Sequence, residues 1–515
     1  MMDLIFDHHK GDLLKPEKME KYFSLHIRWI SLAALFLLAS ACEKEFLERA
    51  PKGQLTFDTY FETPDHAVWA TNAIYQNFRS WDMCAFPWIG ITDVISDDAD
   101  KGSTENDALY LLEIDDFTFD ATNQAFSGAW SGHYRTIFRA NLAIENIPGI
   151  DMDEELRGRL VGEAKFLRAY TYFRLVQWFG ELPLITTPLN EDEYFTQERR
   201  PVAEAYNLIE RDLLDAIDAL PEKSEYADGD LGRATKGAAR GILAKLYMLK
   251  KDYVNAEKYS LEVISSNEYS LLPRYADNFL PVGEHGSESI FEIGAVAIQA
   301  AVAGPGATPF NMIQGVRGIP NLGWGFNRPS DDLVAAYEPG DPRRQATIIY
   351  VGEVLPDGLT LVEDNPEILN ERYNQKAWVP AHAGLQDNGP GNLRLLRYSD
   401  ILLLAAEALN ENGKPADALL YLNQVRQRAR GSNNFILPDI TTTGQGELRE
   451  IIYHERRVEL AMEQQRWFDL LRWGRAEQVM TAAGKNFMPN KHELLPIPQS
   501  EIDLSGGLLQ QNKGY

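Results

Sequence analysis

The chain has 515 residues, a formal net charge of −26 and two cysteines, Cys42 and Cys84. Its acidity argues against nucleic acid as a partner, because phosphate binding needs a cationic surface. A disulfide framework is excluded as the source of stability. At roughly 100–200 residues per domain the length allows two or three domains or one large helical body.

The N-terminus carries the pattern of a bacterial export signal. Basic residues up to Arg28 precede the apolar run WISLAALFLLA, and the small residues Ser40 and Ala41 stand directly before Cys42. About a dozen apolar residues are too few to span a bilayer and fit the core of a signal peptide. Small residues before a cysteine match a lipoprotein cleavage site, which predicts that Cys42 is acylated. The alternative is an ordinary signal peptide in which this cysteine is incidental.

The segments around this cysteine follow from the same interpretation. Residues 1–41 are predicted to be a signal peptide, with residues 1–18 as an upstream extension and Met19 as the true start. The acidic sequence EKEFLE after the cysteine predicts an extended tether over residues 42–62, which would hold a lipid-anchored body clear of the membrane. A solvated tail is compatible with the same residues.

The predicted body, residues 63–515, opens with a helix. Thr63 and Pro64 supply an N-cap and a proline for the first turn. An apolar face continues to Phe78, and the helix is expected to end near Arg79. The stretch that follows, WDMCAFPWIGITDVISDDADKGSTENDALY, has no clean helical period and is predicted to be a loop.

Three aromatic residues in this predicted loop are candidates for ligand contact. Trp81, Phe86 and Trp88 offer large flat surfaces that stack on the apolar faces of sugars, while neighbouring Asp, Asn and Arg side chains bond to hydroxyl groups. The alternative is that each ring anchors the loop to the core. Cys84 is predicted to be a small buried thiol.

A helical-hairpin pattern occurs twice, far apart in the chain. When the two copies are aligned, Ala244 matches Ala406 and Ala256 matches Ala418. Small residues at these places let antiparallel helices approach closely, as in a tetratricopeptide hairpin. The predicted fold is therefore mainly α, with interrupted tetratricopeptide-like hairpins. Further helices are predicted over residues 129–148, 156–179 and 202–220.

The region between the two hairpins, about residues 280–392, has a different character. Glycine and proline are frequent and helical periodicity fades, so a long, irregular loop insertion is predicted, of a kind that is usually functional. A short helix from Asp331 is expected to anchor its aromatic and polar cluster, for which packing is again the alternative. That cluster consists of Trp324, Phe326, Asn327 and Arg328.

The C-terminal part is predicted to hold one more helical run, LREIIYHERRVELAMEQQRWFDLLRWGRA. The last residues, HELLPIPQSEIDLSGGLLQQNKGY, lack a helical period and are expected to lie against the body. The charged side chains of the helical run are expected to form a comb, made of Arg456, Arg457, Glu459, Glu463 and Arg466.

Motifs for catalysis or metal binding are weak. There is no Gly-rich phosphate loop, and His454-Glu455 lacks the second histidine of the HExxH zinc motif. Asp97, Asp98 and Asp100 lack a ligand loop of defined spacing. We therefore expect no catalytic residues, no cofactor and no bound metal.

Five blocks in order carry a resemblance to a known family. The segments CEKEFLERAPKGQLT, GEAKFLRAYTYFRLVQWFGELPLI, RYSDILLLAAEALNENG, ERRVELAMEQQRWFDLLRWG and LPIPQSEID…LQQNKGY together resemble the SusD/RagB family across essentially the whole mature chain. The resemblance implies a SusD-like α-α superhelix with a ligand face made of irregular loops. It also implies a surface-exposed lipoprotein of the outer membrane that captures a glycan and forms a lid on a SusC-like TonB-dependent transporter.

The resemblance also indicates where the ligand binds. In that family the binding aromatics lie in the loop after the first helix and in the long insertion. In this chain the candidate ligand-binding residues are Trp81, Trp88, Arg79, Trp324, Phe326 and Asn327.

Three functions stay open from the sequence. The first is a non-enzymatic surface lipoprotein that binds a glycan and delivers it to the transporter. The second is an interaction subunit whose loops bind peptide or another nutrient. The third is a surface glycosidase, for which abundant carboxylates alone are no evidence.

Overall fold

The expected signal peptide, Cys42 and nearly all of the expected tether lie outside the residues that the structure describes. Residues 61–515 make up one body. Within the described ranges, no helix is both long enough and apolar enough to cross a bilayer. The computed structural model describes residues 60–296, 306–363, 367–368, 370–380 and 390–515.

Helices dominate the body, which confirms the prediction of a mainly α fold. In chain order they are α1 (Pro64–Asn77), α2 (Trp81–Cys84), α3 (Phe86–Ile89), α4 (Leu109–Asp115), α5 (Gln124–Asn146), α6 (Glu154–Phe179), α7 (Glu191–Tyr194), α8 (Val202–Ala219), α9 (Lys236–Leu249), α10 (Tyr253–Ser265), α11 (Phe310–Gln314), α12 (Asp331–Ala336), α13 (Arg343–Thr347), α14 (Tyr398–Glu411), α15 (Pro415–Arg430), α16 (Gln445–Leu460), α17 (Arg466–Trp473), α18 (Ala476–Ala482) and α19 (Gln499–Leu504).

The two predicted hairpins form and pack against each other. Helices α9 and α10 make one hairpin, α14 and α15 make the other, and α10 lies against α14. Ala244, Ala256, Ala406 and Ala418 are all fully buried. Since none of these positions carries more than a methyl group, the helix backbones can approach closely. The interrupted repeat is thus one continuous layer of helices in space.

Short antiparallel strand pairs hold the irregular segments in place. The pairs are β1 with β3, β2 with β6 and β4 with β5. Four of these strands, β2 to β5, lie in the predicted insertion, in agreement with its lack of helical period. The strands are β1 (Ala99–Gly102), β2 (Ser289–Ile293), β3 (Phe326–Pro329), β4 (Ile348–Tyr350), β5 (Arg372–Asn374) and β6 (Leu393–Arg397).

The prediction of a loop after Trp81 is wrong, because this stretch folds into short helical turns. α2 and α3 follow each other directly, and a π-helix spans Gly90–Val94. Pro87 lies in the first turn of α3, where its missing N–H costs nothing. Almost every side chain from Met83 to Asp98 is buried. Burial on all sides removes the periodicity by which a helix is recognised in a sequence.

The predicted helical run near the C-terminus is broken in the structure. α16 ends at Leu460 and α17 begins at Arg466, and between them Met462 and Gln464 adopt left-handed backbone conformations. The charged side chains of this run do not all face solvent. Arg456 and Glu459 are buried and belong to networks of ion pairs.

The last residues lie against the body, although they include a short helix that was not predicted. α19 covers six residues, and both of its flanks are held by apolar contacts. Leu495, Ile497 and Leu509 are buried in the main hydrophobic core. Burial of these side chains explains why the C-terminal segment, which lacks a helical period, is held against the body.

Candidate functional site

Strands β1 and β3 bring together two aromatic segments that are far apart in the sequence. Their register pairs Gly102 with Phe326. Just beyond, the backbone N–H of Ser103 donates to the carbonyl of Gly325 at 2.8 Å. A Cβ added to Gly102 would lie 2.5 Å from that same carbonyl oxygen. The absence of a side chain at this position therefore lets the two segments meet.

Phe86 is the centre of the resulting aromatic cluster. Its ring centroid lies 5.2 Å from that of Trp81, 5.8 Å from Trp324 and 4.6 Å from Phe326. Tyr110 stands at 6.2 Å on another side. The rings of Trp81 and Trp324 are 5.9 Å apart and inclined at 49°. Edge and tilted contacts of this kind stabilise a fixed arrangement of rings.

The cluster borders an open cavity of about 380 Å³, here called the aromatic hollow. This volume lies within the range of roughly 300–1,000 Å³ that is usual for small-molecule sites. Trp81 stands beside it with 40% of its surface exposed, and Trp324 is half-buried. The lining residues are Phe86, Asp107, Ala108, Arg317, Asn321, Gly323, Trp324 and Phe326.

One wall of the aromatic hollow is polar and well ordered. Arg317 Nη1 donates to Asp107 Oδ2 at 2.5 Å and to Ser103 Oγ at 2.6 Å. Ser103 Oγ in turn donates to the same carboxylate oxygen at 3.0 Å. Partial burial alone would raise the pKa of Asp107, but hydrogen bonds from Arg317, Thr104 and Ser103 lower it. The carboxylate is therefore ionised at neutral pH.

Together, these residues provide apolar ring surfaces beside hydrogen-bonding groups. Such a combination suits a ligand that has both C–H faces and hydroxyl groups, as a sugar has. Of the predicted ligand-binding residues, Trp324 and Phe326 line the aromatic hollow, and the ring of Trp81 lies 5.9 Å from that of Trp324. Phe326 itself is 4% exposed and forms part of the hollow's inner surface.

Trp88 does not belong to the aromatic hollow, and its prediction as a ligand contact is wrong. It is only 3% exposed and meets Trp178 edge to face at 6.0 Å. The guanidinium of Arg174 lies 5.1 Å from the Trp88 ring. Seven positions after Trp81, α3 directs this indole into the core, where it packs against α6.

Asn327 is likewise a structural residue and not a ligand contact. It is fully buried and has a φ of 58°. Its side-chain amide donates to Gln314 at 2.8 Å and to Asp93 at 3.1 Å. Asp93 also accepts two hydrogen bonds from Gln464. Asn327 thus joins the strand that carries Phe326 to the helical body.

Arg79 lies two positions before Trp81 in the sequence, but its side chain bonds to a different segment. Its Nη1 donates to the carbonyl of Gly294 at 3.1 Å, and burial lowers the pKa of its guanidinium. Arg79 does not line the aromatic hollow. Cys84 is fully buried, as predicted, and burial raises the pKa of its thiol.

Sequence reasoning missed the polar wall of the hollow. Asp107, Arg317 and Asn321 were not identified, because they lie in stretches without a period and far from one another. One signal was present: Asn321 and Gly323 immediately precede Trp324, in a run of small and polar residues. Asp107 pairs with Arg317 across 210 residues because the fold brings their segments together, through the strand contact and through Asn370, which bonds to both Ser103 and Gly325.

A second cavity, of about 440 Å³, is larger but less suited to a sugar. It lies between α5, the segment around α7 and the C-terminal α19, and we call it the apolar groove. Its exposed surface is more apolar than that of the aromatic hollow, although Ser131, Arg135, Gln197, Glu501 and Ser505 also line it. Its side chains include Trp130, Tyr134, Phe138, Pro183, Ile185, Leu189, Tyr194, Phe195 and Leu504.

The acidic residues considered as metal ligands are occupied by arginines. Asp97 pairs with Arg466 at 2.8 Å, and Asp98 pairs with Arg457 at 2.7 Å. Among the described residues, no group of His, Cys, Asp and Glu side chains is arranged to hold a metal ion. Glu455 is buried between two arginines, so the His454-Glu455 pair serves the core.

Helical hairpins that carry an open aromatic hollow with a polar wall define a class of protein, namely a ligand-binding protein on a tetratricopeptide-like scaffold. Comparison with family models is more specific. The model described as "SusD family" matches residues 288–515, and the one described as "Starch-binding associating with outer membrane" matches residues 92–248. The chain belongs to the SusD/RagB family.

Relatives match nearly their full length. SusD-like protein P2 of Formosa agariphila is 29% identical over 516 residues, covering 94% of this chain and 99% of that protein. A laminarin binding SusD-like protein has a TM-score of 0.77 and 28% identity, and the match covers 88% of this chain and all of that one. Surface glycan-binding protein A from Bacteroides thetaiotaomicron, in complex with laminarihexaose, has a TM-score of 0.74 and 27% identity. That match covers 87% of this chain and 99% of the other.

Proposed function

We propose that this protein is a non-enzymatic glycan-binding protein and that an oligo- or polysaccharide binds in the aromatic hollow. One observation carries the proposal: the indole of Trp324 lines the same cavity as Asp107, Arg317 and Asn321, and the exposed indole of Trp81 lies 5.9 Å from it. Rings offer stacking surfaces for the C–H faces of a sugar, and the polar wall offers partners for its hydroxyls.

The expected affinity is weak. Two or three rings and a few hydrogen bonds correspond to a Kd on the order of 1 µM to 1 mM, or roughly −8 to −4 kcal/mol. The rings are held in place by Phe86, so little order has to be created on binding. Many repeating units on one polysaccharide would raise the apparent affinity further.

The similarity to a laminarin binding SusD-like protein and to a glycan-binding protein in complex with laminarihexaose supports a glycan ligand and suggests laminarin as the first probe. Isothermal titration of residues 61–515 against a panel of glycans and peptides tests the proposal. We expect heat of binding with at least one glycan, and at least tenfold weaker binding by the Trp81→Ala, Trp324→Ala double variant. Binding of peptides alone, or undiminished glycan binding by the double variant, would contradict it.

We further propose that acylation of Cys42 anchors the protein in the outer membrane, with its body exposed at the cell surface. There the protein delivers its glycan to a SusC-like TonB-dependent transporter. The SusD family assignment and the outer-membrane description of the second family model support this part. Affinity purification from detergent-solubilised outer membranes tests it. We expect a TonB-dependent transporter to co-purify. The proposal would be contradicted if no such transporter co-purified and the protein with an intact Cys42 were recovered in the soluble fraction.

A further inference from the structure

The polar wall of the aromatic hollow contains one carboxylate and one guanidinium, and their opposite charges form an ion pair. Asp107 and Arg317 are the charged residues among those that line the hollow in the described part of the chain. Their side chains meet at 2.5 Å, and Ser103 bonds to both. The hollow therefore has hydrogen-bonding groups but no net charge.

Cations next to the hollow are matched in the same way. Lys101 lies 5.7 Å from the Phe326 ring, and its Nζ donates to the carbonyl oxygens of Thr104 and Asp107 at 2.7 and 2.9 Å. On the adjoining strand pair, Arg328 Nη2 donates to Asp100 at 2.6 Å. Both cations are thus committed to protein oxygens before a ligand arrives.

A charged sugar would be poorly accommodated here. Binding of a carboxylate or sulfate is favoured by a charge-assisted hydrogen bond, for which Arg317 is the nearest donor. To provide it, Arg317 would have to share its charge with Asp107, and a second anion would then stand beside an ionised carboxylate. A sugar hydroxyl can donate to Asp107 or accept from Arg317 without disturbing their pair.

We propose that Asp107 makes the aromatic hollow selective for uncharged glycans, because it keeps Arg317 paired and repels sugars that carry carboxylate or sulfate groups. The proposal rests on glycan binding at this hollow, as argued above, and adds the chemical class of the ligand. It assigns the rejection of anionic glycans to one residue, which follows the general rule that specificity often uses a repulsive element.

Pairs of glycans that share a backbone, one member neutral and the other anionic, provide the test. The probes are laminarin with sulfated laminarin, and hydroxyethylcellulose with carboxymethylcellulose, each titrated calorimetrically. For the wild type we expect the neutral member of a pair to bind at least tenfold more tightly. Its affinity should be the same at 50 and 500 mM NaCl, because no ion pair with the ligand forms.

Substitution of the acid should weaken this selectivity. Asp107→Asn keeps the shape of the side chain and an acceptor oxygen but releases Arg317 from its ion pair. We expect the affinity for the charged probe to rise about tenfold and to fall again at 500 mM NaCl. The Asp107→Asn, Arg317→Gln double variant should lose this gain, which would show that the gain depends on Arg317.

Asp439→Asn is the matched control, since it makes the same change in the Arg430–Asp439 pair, which does not line the hollow. Its selectivity should equal that of the wild type. The inference is overturned if wild type binds the charged member equally or more tightly, or if Asp107→Asn leaves the ratio unchanged. Failure of the wild type to bind any glycan of the panel, neutral or charged, would instead overturn the proposed function itself.

Discussion

Two tryptophans seven positions apart have opposite roles in this protein. Trp81 is 40% exposed beside the aromatic hollow, whereas Trp88 is 3% exposed in the core. The difference arises because two consecutive helical turns, and not a loop, present them in different directions. Each residue therefore has its own experimental signature.

Trp88→Ala should destabilise the protein without removing its site. Large-to-small changes at buried aromatic positions cost about 3–5 kcal/mol, and chemical denaturation should show a loss of that size. Trp81→Ala should leave the free energy of unfolding nearly unchanged and weaken glycan binding. Trp69→Ala is the control for both, because this exposed indole lies on α1, and it should change neither quantity. A stable Trp88→Ala protein that has lost glycan binding would contradict these assignments.

How much of the site was predictable depends on the kind of signal each residue gave. The sequence predicted the two segments that carry the rings, since aromatic side chains among small polar residues are visible without a structure. It did not show that Trp88 is buried and Trp81 exposed, because a segment buried on all sides has no apolar periodicity that would tell the two rings apart. Asn327 stands in a segment that resembles a binding loop, yet its partners Asp93 and Gln314 are brought to it only by the fold.

At the scale of elements, the contact of β1 with β3 holds the site together. The two strands are short, and β1 ends at Gly102, whose φ of 70° and missing side chain leave room for the Gly325 carbonyl. Any side chain there meets both backbone strain and a clash.

Gly102→Ala should therefore separate the strands and open the aromatic hollow. We expect a loss of stability of about 1–3 kcal/mol from the strained conformation, together with at least tenfold weaker glycan binding. Gly413→Ala provides a control for strain, since Gly413 has a φ of 74° and no atom within 4 Å of its added Cβ. This variant should lose stability and keep its affinity. Unchanged glycan binding by Gly102→Ala would show that the strand contact does not shape the site.

The junction of α16 and α17 is a second element that the sequence did not predict. Glu459, fully buried near the end of α16, contacts Arg343 at 3.2 Å and Arg397 at 3.3 Å and also pairs with Arg428. Burial alone would raise the pKa of this carboxyl, but these guanidinium groups outweigh that effect and lower the pKa to about 2. Charged side chains of the predicted comb, such as Glu459, thus stabilise the interior.

Glu459→Gln should cost about 3–5 kcal/mol at neutral pH, because it leaves buried arginines without their partner. A carboxyl whose folded-state pKa lies below its ordinary value of 4.5 stabilises the fold above that pH. This contribution declines as the pH falls from about 4.5 to about 2. Urea denaturation of wild type and variant across this range should give a difference that shrinks with falling pH, whereas a constant difference would contradict the ionised state of Glu459.

At the scale of the whole molecule, packed helical hairpins form a platform, and irregular segments form the proposed binding face. The predictable part was the platform, since buried Ala244 and Ala406 mark the close approach of helices at a regular spacing. The binding face was predictable only as a region, because contacts such as Asp107 with Arg317 join segments whose order in the sequence says nothing of their distance.

The most direct test is a crystal structure of residues 61–515 with a glycan that the protein binds in solution. We expect a sugar ring stacked on Trp81 or Trp324, with its hydroxyls within hydrogen-bonding distance of Asp107, Arg317 or Asn321. Glycan density in the apolar groove near Phe138 and Tyr194, with the aromatic hollow empty, would contradict it.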